Sequence, residues 1–212
     1  MEYITPIFDS AKEAKDFPVG EISSFHWEKD GYSRPESYCA LFAVKGEGLH
    51  VLLWSFEDNI RCECTENYQP VYTDSCLEFF VMPVEGDKRY LNIEVNKNGV
   101  YLAQLGEARE NRVFVKEITD LEPVITPMEI ENEKGKAWGC EIILTENFIS
   151  ALYGTDYTVK PCEIKGNFYK CADYSVAPHY GAYYPVTTAA LGFHNPDCFG
   201  TIIIGKADKN GK

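Results

Sequence analysis

Residues 71–83 read VYTDSCLEFFVMP, and the way this run alternates decides the fold. In an extended chain successive side chains point to opposite faces, which puts Leu77, Phe79 and Val81 on one side and Cys76, Glu78 and Phe80 on the other. The first is a core face. The second joins an acid to aromatics, with Tyr72 and Asp74 in the same register, a mixture that suits neither a dry core nor an ordinary wet surface. A single acid on a half-exposed strand is most simply solvated, so Glu78 needs a second observation before it counts as part of a site.

Outward from this run the two-residue period recurs. YCALFAV (38–44) and LHVLLWSF (49–56), separated by Lys45-Gly46-Glu47-Gly48, read as two buried strands joined by a hairpin. RYLNIEVN (89–96) turns through Lys97-Asn98-Gly99 into VYLAQL (100–105), and the Asn-Gly pair is the strongest short hairpin signal. IRCECT (60–65), FVKEI (114–118), AWGCEIIL (137–144), YTVKPCEIKGNFYKC (157–171) and TIIIG (201–205) add further strands, while LEPVITPMEIENEKGK (121–136) reads as an acidic, proline-containing connection. Helix signals are few. SAKEAKDF (10–17) has room for two turns, and TENFISALYG (145–154) carries a Thr145 cap and a closing Gly154. About ten short strands with almost no helix predict an all-β fold, a single β-sandwich domain over residues 1–212.

The chain has 212 residues, enough for one sizeable core. Its 33 acidic and 20 basic residues leave a net charge of −13, which argues against nucleic acid and anionic membranes as partners, since phosphate contacts need a basic surface. No run approaches the roughly 20 apolar residues of a membrane span. The opening MEYITPIFDSAKEAK lacks the basic start and apolar segment of an export signal, so the expected location is cytoplasmic, or extracellular if a leader has been trimmed. Eight cysteines are scattered through strand-like runs and read as reduced, buried apolar side chains. Cys62 and Cys64 share a face, but no second short-spaced pair completes a structural zinc site.

Residues 172–200, ADYSVAPHYGAYYPVTTAALGFHNPDCFG, break the strand pattern with three prolines and four tyrosines. A loop this long in a compact domain is functional or disordered. Its aromatic content and low charge fit an ordered loop draped over a sheet face, and hence a binding site.

DSCLEFF, the YLNIEVNKNG hairpin, WGCEIIL with the short helix after it, and the closing PHYGAYYPV and GFHNPDCFG together resemble the family 9 carbohydrate-binding modules and their stand-alone bacterial relatives, from about Trp27 to Gly205. The resemblance implies a β-sandwich that holds a sugar between two aromatic rings, with an acid and amides bonding its hydroxyls, no catalysis and no required cofactor, and calcium as a structural ion in several members. Glu78 matches the acid. Tyr72 and Tyr183 stand where relatives carry the two sandwiching tryptophans, Asn92 and Gln104 lie on the hairpin that supplies amide ligands, and Arg112 or Arg109 follows it. The implied partner is a mono-, oligo- or polysaccharide. A pyranose offers apolar C–H faces and a rim of hydroxyls, so an acid fixed beside aromatic planes would suit it.

Two other readings stay open: a structural or protein-binding sandwich whose sugar site has decayed, and a glycoside-processing enzyme. For the latter, carboxyl groups must lie about 5 to 9.5 Å apart. Asp74 and Glu78, four residues apart, would be about 13 Å apart along a strand, whereas Glu78 with Glu94 or Asp173 stays eligible. His179 and His194, each beside proline and aromatics, read first as histidines bonded to loop backbone.

Overall fold

The computed structural model describes residues 2–205; Met1 and residues 206–212, the two ends of the expected domain, lie outside the described residues. The alternation in residues 76–82 is real, yet nearly all of that strand is buried on both faces, because each face is covered by a different part of the chain.

Among the described residues the strands are β1 (Glu2–Thr5), β2 (Ile7–Phe8), β3 (Val19–Glu21), β4 (Ser24–Phe25), β5 (Glu36–Val44), β6 (Gly48–Phe56), β7 (Cys76–Met82), β8 (Tyr90–Asn96), β9 (Tyr101–Gly106), β10 (Val113–Phe114), β11 (Val124–Asn132), β12 (Gly135–Thr145), β13 (Cys162–Cys171), β14 (Tyr180–Ala182) and β15 (Gly200–Ile204). They form two sheets. One runs β1-β15-β13-β7-β8-β9-β10, with β14 added to β13 and β4 to β14; the other runs β11-β12-β6-β5-β2, with β3 added to β5. Between them Leu77, Phe79 and Val81 meet Leu41, Val51, Leu53 and Ile142 in the main core. This is an all-β sandwich, as the strand pattern predicts.

Strand β1 pairs with β15 and β2 with β5, both parallel, and Pro6 is the single residue between them. The chain therefore changes sheets at Pro6, where no ladder N–H is needed. The helix α1 (Glu146–Tyr153) forms where its caps place it: the Thr145 hydroxyl accepts the Phe148 N–H, and Gly154 closes it at φ +68°.

The structure departs from the sequence reading in several places. IRCECT is not a strand; the Glu63 and Cys64 N–H groups are taken by the Asp74 carboxylate instead of a neighbouring strand. FVKEI keeps only one strand residue, Phe114, before turning into a 3-10 helix, SAKEAKDF makes a single 3-10 turn at Ala11–Glu13, and the ladder of YTVKPCEIKGNFYKC starts only at Cys162, after Pro161. LEPVITPMEIENEKGK, read as a connection, contains the nine-residue strand β11. Pro127 is tolerated there because β11 is an edge strand. Tyr72 is not in register with β7; it sits in the 3-10 turn Val71–Thr73 that leads into it.

Candidate functional site

The outer face of the first sheet carries a second apolar cluster: Phe80 from β7, Tyr90 from β8, Tyr169 and Cys171 from β13, covered by Tyr180, Phe193 and Phe199 of the long loop region. The rings interlock. Phe193 stacks on Tyr169 with centroids 4.2 Å apart, and His194 stacks on Phe80 at 4.8 Å. The loop of residues 172–200 is thus ordered by its own aromatics, and where it stops short of the sheet it leaves a cleft.

The cleft, about 180 Å³, has Glu78, Glu94 and Cys171 on the strands, Leu102 and Gln104 of β9 beside them, Arg109 and Arg112 from the turn after β9, Tyr72 and Asp173 at one rim, and Tyr180 and residues 191–194 at the other. Strand parity explains the membership. On β8 the odd residues Leu91, Ile93 and Val95 belong to the main core, which leaves Asn92 and Glu94 to the outer face; Glu94 lies directly across from Glu78 in the β7–β8 register.

Polar partners fix these groups. The Arg112 guanidinium donates from Nη1 to Asn92 Oδ1 at 2.9 Å, and Asn92 Nδ2 donates to Glu94 Oε1 at 3.0 Å. The Cys171 thiol donates to Glu78 Oε1 at 2.9 Å. His194 Nδ1 faces the Tyr90 hydroxyl at 3.2 Å, and its Nε2 lies 3.9 Å from Glu94 Oε1. The second carboxylate oxygen of Glu94 is buried without a hydrogen-bond partner among the described residues. Burial, reinforced by the carboxylate of Glu94, holds the Glu78 carboxyl well above the usual range; burial pushes Glu94 up to about 7 against the pull of Arg112. Asp173 is likewise raised by burial, and burial with the Lys170, Arg112 and Arg109 cations keeps the His179 and His194 rings below their usual value, Lys170 acting on His179 and the two arginines on His194.

Of the residues expected from sequence, Tyr72, Glu78, Gln104 and Arg112 come together in the cleft. Asn92 stands behind it, fully buried, orienting Arg112 and Glu94. Tyr183 does not join them. It packs edge-on against Tyr3 and Phe168, members of the main core, and closes over Gly20, where an added Cβ would lie 2.5 Å from its ring. The cause is parity again: Tyr180 and Ala182 share the outer face with the second cluster, so Tyr183 turns inward, and Tyr180 is the aromatic that the segment gives to the cleft. Asp74, in line with Glu78 on paper, is fully buried and serves backbone groups. His179 does bond loop backbone, its Nδ1 lying 3.0 Å from the Ala177 carbonyl, but its Nε2 also faces Lys170 Nζ at 2.7 Å. Sequence reading gave no role to Tyr180, took Phe193 as a loop anchor and took His194 as bonded to loop backbone, whereas the His194 ring faces the Tyr90 hydroxyl and Glu94; their place in the aromatic loop marks the segment without saying which rings face the sheet.

Comparison with known proteins agrees with this architecture. The sequence profile of carbohydrate-binding family 9 matches residues 7–204, so the chain belongs to carbohydrate-binding family 9. Its fold is similar to that of a Bacteroides uniformis ATCC 8492 protein described as carbohydrate-binding, at 23% identity and TM-score 0.78, over 96% of this chain and 98% of the other. It is also similar to a family 9 module from Caldicellulosiruptor kristjanssonii solved with cellotriose (12% identity, TM-score 0.60, 100% and 97% covered) and to one from the same organism solved with glucose (14%, 0.60, 100% of both). No curated protein is significantly similar in sequence.

Proposed function

We propose that this chain binds carbohydrate without transforming it, taking one sugar ring of a mono- or oligosaccharide or of a polysaccharide end into the cleft over Glu78. The observation that carries the reading is the convergence, in one cleft of a family 9 chain, of aromatic rings with acceptors and donors held on rigid strands. Tyr72 and Tyr180 offer ring faces to the apolar side of a pyranose. Glu94, Glu78 and Asp173 accept from hydroxyls, while Arg109, Arg112 and Gln104 donate to ring and hydroxyl oxygens. The Caldicellulosiruptor modules, solved with cellotriose and glucose, make gluco-configured sugars the first ligands to try.

The non-catalytic reading rests on membership of a carbohydrate-binding family. Calcium enters no part of this reading. The group of His, Cys, Asp and Glu side chains whose ligand atoms converge among the described residues contains two thiols, whereas calcium takes six to eight oxygens.

Calorimetric titration with glucose and cellotriose tests the proposal: wild type binds at least one of them, Glu94→Gln and Tyr72→Ala weaken binding, and no product forms on prolonged incubation. Wild-type binding that survives both Tyr72→Ala and Glu94→Gln unchanged would place the sugar elsewhere.

A further inference from the structure

Beneath the cleft floor, Cys76 and Cys171 face one another as register partners on β7 and β13, and Glu78 stands two residues along from Cys76 on the same face of β7. One ligand atom from each of Cys76, Glu78 and Cys171 lies within 4.8 Å of the other two, and all three residues are at most 2% exposed. The thiols are not joined to each other or to any other cysteine. Glu78 and Cys171 also line the cleft, so the group is buried on the protein side and reachable from one side only.

A saccharide site has no use for two thiols under its acid. Small apolar side chains would fill the same space on the outer face, and the cluster is instead rich in groups that become anionic. A cation bound among them takes the place of their protons, and its charge compensates the donors. A separate observation points the same way: Glu94 Oε2, across the register from Glu78, is buried and unpartnered.

We propose that Cys76, Cys171 and Glu78 form a site for a thiophilic divalent cation of the zinc class, whose occupancy closes the cleft to saccharide. Zinc takes thiolate sulfur at about 2.3 Å and carboxylate oxygen at about 2.0–2.2 Å in tetrahedral geometry, and three protein ligands with an open fourth position are a common arrangement. The two sulfurs and one oxygen supply three corners; the fourth is left to water from the cleft, which Glu78 and Cys171 line. On binding, the two thiol protons and the Glu78 carboxyl proton leave to solvent and the cation takes their place. Thiolate donors favour zinc over calcium and magnesium. The closing of the cleft rests on the saccharide reading above, since the cation would hold the Glu78 carboxylate that a sugar hydroxyl needs.

The test uses the full chain, freshly reduced and metal-free. Cobalt(II) added without sugar should bind with one-to-one stoichiometry and give the near-ultraviolet thiolate-to-cobalt band and the visible bands of a tetrahedral ion, and zinc should bleach both. Cys76→Ser and Cys171→Ser, each first checked for native circular dichroism, should each lower the charge-transfer band by about half, and the double variant should lose it; Glu78→Gln, which keeps both thiols, should weaken cobalt binding at least tenfold; Cys62→Ser should behave as wild type. Absence of the bands in wild type, or a charge-transfer band undiminished in the single variants or surviving in the double variant, overturns the site. In a second arm, zinc at saturation should weaken glucose or cellotriose binding at least tenfold, and unchanged binding overturns the closing of the cleft. Should metal-free protein bind no sugar at all, the saccharide reading fails on its own, while the cobalt spectrum still decides the metal site.

Discussion

Replacing Asp74 should cost more stability than replacing any acid of the cleft. Its carboxylate has no solvent exposure and accepts from the Glu63 N–H at 2.9 Å, the Cys64 N–H at 2.9 Å and Asn96 Nδ2 at 3.1 Å. Hydrogen bonds to a charged group contribute roughly 1.5–3 kcal/mol each, and a buried donor left without its acceptor bears its own desolvation cost. Three such bonds that share one acceptor do not add fully, so Asp74→Ala should lose about 4 kcal/mol. Asp74→Asn keeps one acceptor oxygen but turns an amide NH2 toward another donor, and should lose about half as much. With a urea m-value of about 2 kcal/mol/M, the alanine variant's midpoint falls by about 2 M at pH 7. The pH dependence follows from the same bonds. Burial alone would raise the Asp74 carboxyl, but the Glu63 and Cys64 N–H groups outweigh it and the net displacement is downward. A depressed carboxyl contributes stability that is complete above the unfolded value of about 3.9 and is lost as pH falls through the lower folded value, so the gap between wild type and Asp74→Ala should narrow in acid. A loss below about 1 kcal/mol at pH 7 for the alanine variant would refute the reasoning.

Tyr72 is 42% exposed at the cleft rim, so Tyr72→Ala should weaken saccharide binding about tenfold with little change in melting temperature, read by calorimetry beside thermal melts. Tyr183→Ala should do the reverse, costing about 1–2 kcal/mol of stability for a partly buried ring and leaving affinity intact; a loss of affinity with an unchanged melt would return Tyr183 to the site. Because burial keeps Glu94 protonated up to about pH 7 in the folded state, the native protein holds a proton there that the unfolded chain releases near about 4.3. That contribution is complete below the unfolded value and is lost as pH rises through about 7, and chemical melts across this window should show the decline flattened in Glu94→Gln. All eight cysteines are free, so a thiol reagent without reductant should find eight after denaturation and few in the native state.

The run of about ten short strands predicted the sandwich, and the alternation of residues 76–82 singled out Glu78, because strand parity depends only on backbone geometry. The same rule applied past its range misplaced Tyr72, which reaches the cleft from a 3-10 turn, and Asp74, whose partners are N–H groups ten and eleven residues away in sequence. Tyr183 lies three residues from Tyr180, the ring of this stretch that reaches the cleft. A hairpin signal fixes parity, but residues 172–200 contain none, and the pairing of Tyr180–Ala182 with Tyr169–Cys171 is a tertiary choice that local sequence does not encode. Residues 121–136 were unreadable as a strand because an edge tolerates prolines and acids that a central strand excludes.

The crossing at Pro6 has a consequence for how the chain is made. Strand β1 pairs Glu2 with Thr201 and Ile4 with Ile203, so β1 is synthesised long before the strand it must dock against. Until then Ile164 and its neighbours on β13 lack β15, an unpaired ladder that a second nascent chain could occupy. Closure over so long a separation belongs to the slow class of β topologies.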